Sequence, residues 1–272
     1  MVSIMRYVSV SDVVSFYRCR VCFLERLRGG GRERQTVKSL LGEMLHELAG
    51  GCLRGEVEIM ERLHADGRLD PRSLQKCYRR AAMGILRGVI WKYGGRLAEL
   101  GGSLEDAETL LLKAVENIVE RRTLELFKGL RSMGIRQLLL RLHERSFGRR
   151  LCSDALRLCG SPDMLEADKV VEFKYSRPGP RGMIREDILL QLSLYSMLSG
   201  KRSLKVIYLP SFTHEDFWAD DGVIEWALGI LNELFSFLSQ VPGEVEHTCA
   251  RRLKYVSVGG ELLWARSTFY PQ

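Results

Sequence analysis

The sequence changes character near residue 143, and this change limits the folds that the chain can adopt. Before it, residues 55–142 contain almost no strand-like run, and their apolar spacing predicts helices near 56–66, 71–99, 103–130 and 134–142. After it, apolar runs between turn residues predict strands at 143–148, 154–159, 162–166, 169–175 and 203–209. Helices are predicted again over about 185–199 and 221–240. This order predicts a mixed α/β protein in which a helical lobe is inserted before the sheet.

The first 54 residues precede this inserted lobe. They predict one helix over 11–28, capped by Ser11 or Asp12, and a second over 36–49, ended by the glycine pair at 50–51. The predicted parts of the chain are an N-terminal region at 1–54, a helical insertion at 55–142, a core at 143–240 and a tail at 241–272.

Composition narrows the class of protein. An apolar fraction of 46% supports a buried core and excludes a largely disordered chain. No apolar run approaches the roughly 18 residues of a membrane span, and the first residues lack the features of a signal peptide. We therefore expect a cytoplasmic protein without a membrane partner. The net charge of +7, from 41 basic and 34 acidic residues, favours an anionic partner. Seven cysteines, an odd number, favour reduced thiols over a disulfide framework.

Two apolar runs around a polar break at 167–168 predict a hairpin with a charged face. With the turn centred on that break, antiparallel pairing sets Asp163 opposite Glu172, with Cβ atoms about 4.5–5.5 Å apart. The two-residue period of a strand adds Lys174 to the same face. Two carboxylates this close repel each other unless a proton or a cation intervenes. The hairpin therefore predicts a site for a hard divalent cation, Mg²⁺ or Mn²⁺.

The chemistry that suits this face is phosphodiester hydrolysis. The cation leaves room for water and a phosphate oxygen, and an ammonium group beside it can orient the water or stabilise charge on the phosphoryl oxygens. The alternative is an exposed strand on which Glu172 and Lys174 form an ordinary surface salt bridge.

Two helical pairs add to the site. Gln191 and Tyr195, four residues apart, share one face of the helix after the hairpin and can hydrogen-bond a metal ligand or a DNA phosphate. Gly42 and His46 share a face of an earlier helix, which can deliver an imidazole to the metal. The alternatives are simple packing for Tyr195 and a structural role for His46.

Taken in chain order, these pieces resemble the PD-(D/E)XK nuclease superfamily, and within it the RecB-like branch. The matching motifs are Gly42-x-x-x-His46, Glu144 on a predicted strand, Gly160-x-x-Asp163, Glu172-x-Lys174 and Gln191-x-x-x-Tyr195. The start of the chain, with Ser11-Asp12-Val13 and Cys22-Phe23-Leu24, is similar to the CRISPR-associated RecB-like exonucleases.

The resemblance implies a restriction-endonuclease-like mixed β-sheet core flanked by helices, and a role for each matched residue. The implied ligands of Mg²⁺ or Mn²⁺ are His46, Asp163, Glu172 and the Phe173 carbonyl. Lys174 is the implied catalytic amine, with Gln191 and Tyr195 in support. The implied activity is cleavage of DNA at single-stranded or duplex ends during CRISPR spacer acquisition. The implied partners are CRISPR adaptation proteins, and the sequence does not decide whether the protein forms a homo-oligomer.

The same relatives hold an iron–sulfur cluster on one cysteine near the start and three near the end. Here Cys19, Cys22 and Cys249 supply three thiolates, one fewer than the usual four. Cys152 and His247 are candidates for a further ligand, and structural zinc would also require four. The alternative is a set of reduced cysteines without a cluster.

Positive charge concentrates in two stretches that flank the predicted site. Residues 18–38 carry seven Lys or Arg against two acids, and residues 128–157 carry eight against two. Guanidinium groups suit phosphate contacts, so Arg145, Arg149 and Arg150 are predicted to touch DNA, the alternative being a solvated face. Such binding is expected to depend on salt and DNA shape more than on sequence.

Two other functions fit the same residues. The first is a repair or recombination nuclease, or a dimeric resolvase, of the same superfamily. The second is a non-catalytic DNA-binding or assembly subunit that keeps the fold. The intact set of Asp163, Glu172 and Lys174 argues against the second, because a scaffold does not need that arrangement.

Overall fold

The computed structural model describes residues 7–27, 35–180, 183–240 and 255–257. Its helices are α1 (Val10–Arg18), α2 (Arg20–Leu27), α3 (Val37–Arg54), α4 (Glu56–Ala65), α5 (Pro71–Glu99), α6 (Leu104–His143), α7 (Glu186–Ser199) and α8 (Asp221–Gln240). Its strands are β1 (Val8–Ser9), β2 (Ser146–Phe147), β3 (Leu151–Ser153), β4 (Leu158–Gly160), β5 (Met164–Leu165), β6 (Lys169–Lys174), β7 (Met183–Arg185), β8 (Ser203–Tyr208), β9 (Thr213–Trp218) and β10 (Tyr255–Ser257). The mixture confirms the predicted α/β class.

A five-stranded mixed sheet lies at the centre of the core, in the order β2-β5-β6-β8-β9. Strands β6 and β8 run parallel and are joined through α7, whereas the other neighbouring pairs are antiparallel. Parallel neighbours require a crossover of this kind, because a tight turn joins only antiparallel strands. A smaller sheet has the order β1-β4-β3, and β7 pairs with β10.

The hairpin of β5 and β6 has the predicted register. Met164 lies opposite Val171, so the next pair toward the open end is Asp163 and Glu172. One face of the hairpin packs in a hydrophobic core with α3 and the helices that follow it, and the other packs with α1, α7 and α8. Because both faces are covered, a slip of one residue would place the charged side chains in the wrong core.

Helices α4, α5 and α6 fill the stretch in which the sequence predicts only helices. Helix α6 unites the two helices predicted near 103–130 and 134–142, with a kink at Gly134, whose φ is 75°. The prediction that glycines end α3 at 50–51 is wrong, because the helix continues to Arg54. Gly51 instead allows close packing on α5, since a Cβ there would lie 2.9 Å from Ile85.

The first predicted helix, over 11–28, is divided into α1 and α2. Cys19 separates them in an extended conformation with φ −161° and ψ 110°. The cap of α1 is Ser9 rather than Ser11 or Asp12. The Ser9 side chain accepts a hydrogen bond from the Asp12 N–H, and the Asp12 carboxylate accepts one from the Ser9 N–H. This reciprocal pair is a capping box, which starts the helix at Val10.

A disulfide joins Cys152 of β3 to Cys159 of β4, which corrects the prediction of reduced thiols for this pair. The two cysteines lie directly opposite each other in the antiparallel pairing of the two strands. Neighbouring side chains in such a pair are close enough to be bridged.

Helix α8 is the one described helix with the length and composition of a membrane span, which differs from the sequence expectation. Its mean hydropathy reaches 1.2. Its buried residues recur at helical spacing and pack into the core shared with α1 and α7: Val223, Ala227, Leu231 and Leu234. That stripe is typical of an amphipathic helix in a globular protein, and the length and composition of α8 alone do not distinguish such a helix from a membrane span.

One buried acid ties the helical insertion to the hairpin. Glu56 of α4 is fully buried and accepts hydrogen bonds from Arg122 at 2.6 and 2.7 Å, from Arg145 at 2.6 Å and from Tyr78 at 2.9 Å. Arg145 also pairs with Glu166, after β5, at 3.2 Å. Burial raises the pKa of Glu56, but the charges and hydrogen bonds of the two arginines outweigh it and hold the pKa below 4.5.

Candidate active site

Asp163 lies at the open end of the hairpin, where strand pairing stops. The residue opposite Phe173 in this register is Pro162, which has no N–H to donate. The Phe173 N–H donates instead to Asp163 Oδ2, at 2.7 Å. The N–H and C=O of one strand residue point toward the same neighbouring strand, so the Phe173 carbonyl is directed to the same edge. The strand end thus fixes one carboxylate and offers one carbonyl beside it.

Glu172 and Lys174 lie on the same face of β6 and meet Gln191 of α7. Lys174 Nζ donates to Glu172 Oε1 at 2.9 Å and to Gln191 Oε1 at 2.7 Å. Gln191 Nε2 donates to Glu172 Oε1 at 2.7 Å, which closes a triangle of three side chains. The Glu172 side chain is only 6% exposed, so an ordinary surface salt bridge does not describe this pair.

His46 reaches Asp163 from the other face of the sheet. Helix α3 packs on the face that carries Phe173, and the rings of His46 and Phe173 meet edge to face with centroids 5.8 Å apart. His46 Nδ1 lies 3.4 Å from Asp163 Oδ1. Gly42, one turn earlier, packs beside Tyr175, and a Cβ there would make an ordinary contact at 3.6 Å. The helix therefore brings the imidazole beside the carboxylate without a strict need for glycine at 42, and the binding of His46 to a metal stays a prediction.

Each carboxylate has one oxygen held firmly by the protein and one in long contact only. Asp163 Oδ2 and Glu172 Oε1 accept the short hydrogen bonds described above. Among the described residues, Asp163 Oδ1 has only His46 at 3.4 Å, and Glu172 Oε2 has only the Asp163 N–H at 3.4 Å. These distances are beyond the usual range for a strong hydrogen bond. The two oxygens and the imidazole are thus the atoms best placed to bind a ligand.

This donor set fits a hard divalent cation. Burial raises the pKa of Glu172, Lys174 opposes that effect, and the charge of Asp163 adds to it, so a cation beside the two acids would relieve their repulsion. Among the described residues, no three His, Cys, Asp or Glu side chains already stand together as a ligand group. Two carboxylate oxygens, an imidazole and the Phe173 carbonyl nevertheless match the ligands that Mg²⁺ and Mn²⁺ accept.

Tyr195 fixes the loop that leads into Asp163. Its hydroxyl donates to the Ser161 carbonyl at 3.1 Å and accepts a long hydrogen bond from Gln191 Nε2 at 3.4 Å. Burial raises the pKa of Tyr195, so the hydroxyl keeps its proton and stays a donor. A Cβ at Gly160 would lie 2.7 Å from the Tyr195 ring and 2.6 Å from Val10. Only glycine fits there, which explains the first position of the Gly-x-x-Asp motif.

Two predicted residues do not join the site. Glu144 caps the C-terminal end of α6 and is exposed, so it is not on a strand and its match to the motif is wrong. The guanidinium of Arg145 is held by carboxylates of the buried network and is only 10% exposed, so its assignment to DNA is also wrong. Arg149 and Arg150 are exposed and stay predicted DNA contacts.

The cysteine set lies only partly within the described residues. The Cys22 N–H donates to Cys19 Sγ at 3.4 Å, so these two cysteines are neighbours. Cys249 and His247 lie outside the described residues. Cys152 is bonded to Cys159 and offers no thiolate to a cluster. The iron–sulfur cluster stays a prediction.

Sequence reasoning missed two residues that shape the site. The Ser161 carbonyl holds Tyr195, and no side-chain pattern signals a backbone acceptor. Glu56 anchors the buried network, and its signal is visible in the sequence: it takes an apolar position in α4, in line with Ile59, Met60 and Leu63. An acid on the buried stripe of a helix requires a buried cation.

Fold and site together define a mixed α/β protein with a carboxylate–lysine–glutamine cluster at the open end of a central hairpin. No protein-family model matches the chain, and no curated protein matches its sequence. The function is therefore argued from the geometry of this cluster.

Proposed function

We propose that the protein is a metal-dependent deoxyribonuclease of the PD-(D/E)XK type, with a restriction-endonuclease-like core. The observation that carries the proposal is the position of Lys174 Nζ, which contacts Glu172 of the same strand and Gln191 of α7. The backbone of that strand also binds Asp163, through the Phe173 N–H. Holding two acids and an ammonium group together in a largely buried cluster costs stability, and charge clusters of this kind concentrate at functional sites. Phosphodiester hydrolysis uses all three groups.

The acids, the imidazole and one carbonyl would hold the cation: Asp163, Glu172, His46 and Phe173. Mg²⁺ or Mn²⁺ supplies Lewis-acid activation of the phosphate and of water. The Phe173 N–H orients the Asp163 carboxylate, and Gln191 orients that of Glu172. Each acid is thereby held with one oxygen turned to the site, so little rearrangement is needed on binding.

Lys174 acts on the substrate itself. Its ammonium is fixed by two acceptors before DNA arrives and has three protons, so one remains for a phosphoryl oxygen. A donor that is already in place stabilises the charge that develops in the transition state. Tyr195 positions the loop of Ser161 and Asp163 and does not touch the substrate.

We propose DNA ends, single-stranded or duplex, as the substrate class, and exonucleolytic trimming as the reaction. The resemblance to CRISPR-associated RecB-like exonucleases supports spacer acquisition as the process, in the cytoplasm, with adaptation proteins as partners. The exposed Arg149 and Arg150 are proposed phosphate contacts.

Removal of divalent cations is expected to stop DNA degradation and re-addition to restore it. Purified protein is incubated with end-labelled single- and double-stranded DNA in chelator, Mg²⁺ or Mn²⁺, with an Asp163→Ala preparation as the control for contaminating nucleases. The rate of label release in chelator should fall at least about 100-fold, since the cation carries the activation. Degradation at an unchanged rate in chelator contradicts the metal dependence, and no degradation with any metal contradicts the function.

A further inference from the structure

Helix α5 has an exposed basic face that the proposed nuclease site does not use. Between Asp70 and Glu99 the helix contains no acid and seven basic residues: Arg72, Lys76, Arg79, Arg80, Arg87, Lys92 and Arg96. The helical repeat places Lys76, Arg80 and Arg87 on the side opposite the buried stripe, where they form the basic face, and the other four lie away from that side. Within the described part of the chain, only Lys92 among these has a carboxylate partner. A face of this kind carries a positive potential that internal ion pairs do not cancel.

The same face displays a tryptophan in solvent. Trp91 is 89% exposed, the most exposed of the large apolar side chains in the described residues. It lies one helical turn beyond Arg87 and three turns beyond Arg80, opposite the buried stripe of α5. Beside it, a Cβ at Gly88 would meet no atom within 4 Å, so the surface around the indole is open. The indole face can therefore receive a flat ligand.

A basic cavity lies at the far end of this face. It has a volume of about 410 Å³ between the end of α4 and the first turns of α5. Its charged lining consists of four cations and one acid: Arg62, Arg68, Lys76, Arg80 and Asp66. Because Arg80 belongs both to the cavity and to the Trp91 stripe, the cavity and the indole form one continuous surface. Guanidinium and ammonium groups in this number suit a phosphate group.

The tryptophan end of the face is the end near the proposed active site. Lys92 Nζ donates to Glu47 Oε2 at 2.6 Å, and the Tyr93 hydroxyl donates to the same oxygen at 2.7 Å. Glu47 directly follows His46 in α3. The 1.5 Å rise per residue places Arg80 about 17 Å from Trp91 along the helix. The surface thus runs from the cavity toward the His46 side of the site.

We propose that this face of α5 binds single-stranded DNA, with a phosphate in the cavity and a base stacked on Trp91, and leads the strand to the active site. That the strand is led to a nuclease site rests on the proposed function, whereas the binding itself does not. A single strand is favoured because its bases expose their faces for stacking, and a row of cations tracks its backbone. A duplex would offer phosphates but no free base face.

The test measures affinity without cleavage. A fluorescent oligothymidylate is titrated in chelator with the wild-type protein, with Trp91→Ala and with Trp218→Ala. Trp218 lies on β9 and is 64% exposed, so its replacement serves as the matched control. Trp91→Ala should weaken binding about tenfold, the usual effect of losing one stacked base, and Trp218→Ala should leave it unchanged. Arg80→Ala should lower the slope of log affinity against log salt by about 0.7, the value for one phosphate on a single strand.

Several outcomes overturn the proposal. These are an unchanged affinity of Trp91→Ala, an equal loss of affinity in Trp218→Ala, and an equal loss of affinity of Trp91→Ala for duplex DNA. If the face binds no DNA, it serves a protein partner instead. The result is separable from the nuclease assay. A Trp91-dependent affinity in a protein that never cleaves DNA supports this surface and refutes the nuclease, and cleavage with unchanged affinity of Trp91→Ala does the reverse.

Discussion

Replacing Lys174 by alanine is expected to lower Mn²⁺-dependent DNA hydrolysis at least about 100-fold, the usual cost of removing one preorganised donor from an electrostatic site. Glu172 and Gln191 hold the ammonium of Lys174 in place through two of its three protons. The third proton can be donated to a phosphoryl oxygen, and alanine removes this donor. The measurement is kcat for release of label from DNA at saturating substrate.

The matched control lies on the same strand. Lys169 begins β6 and pairs with Asp216 at 2.9 Å near the surface, away from the cluster. Lys169→Ala should keep its rate within about twofold, because such pairs contribute little. A full rate in Lys174→Ala refutes the assigned site. An equal loss in both variants would show damage to β6 instead of lost chemistry.

Glu56→Gln is expected to have the largest effect on stability, about 3–5 kcal/mol in the free energy of unfolding. The substitution keeps the size of the side chain but removes the charge that Arg122 and Arg145 share, which leaves two guanidinium groups facing a neutral amide in the interior. Urea unfolding followed by circular dichroism measures the change. The helical insertion and the hairpin should both loosen, because Glu56 joins them.

The control for this substitution is on the same helix. Glu61 pairs with His143 at 3.1 Å, but its side chain is 52% exposed, so Glu61→Gln should cost no more than about 1 kcal/mol. Acid provides a second check. The pKa of folded Glu56 lies below its ordinary value of 4.5, so its contribution is present above pH 4.5 and is lost as the pH falls through the folded value. The gap between wild type and Glu56→Gln should close over that range, and a gap independent of pH would contradict the account.

Local patterns were sufficient to predict the hairpin and most helices. The polar break at 167–168 between two apolar runs predicts the register that sets Asp163 opposite Glu172, because the period of two leaves one arrangement that buries both runs. Helix α5 is predicted equally well by its apolar spacing and the glycines near its end, whereas α6 is predicted as two helices that the structure joins across a kink at Gly134. The charged site follows from the register, since Lys174 is on the same side as Glu172.

Features that depend on distant contacts could not be predicted in the same way. Strand β9 is polar and half exposed, and it forms only because β8 offers an edge to pair with. Helix α3 continues through the glycines at 50–51, and Gly51 lies where Ile85 of α5 packs closely on the helix. The burial of Arg145 follows from Glu56, a partner about 90 residues earlier that no local pattern connects to it.

Direct titration with Mn²⁺ tests the central claim, that the open end of the hairpin holds a divalent cation. The signal of free Mn²⁺ in electron paramagnetic resonance is followed as wild type, Lys174→Ala and Asp163→Ala are added. The account predicts one bound ion per chain in the wild type and in Lys174→Ala, and affinity at least about tenfold weaker in Asp163→Ala, which removes a ligand. A wild-type protein that takes up no Mn²⁺, or an Asp163→Ala variant that binds it as the wild type does, would contradict it.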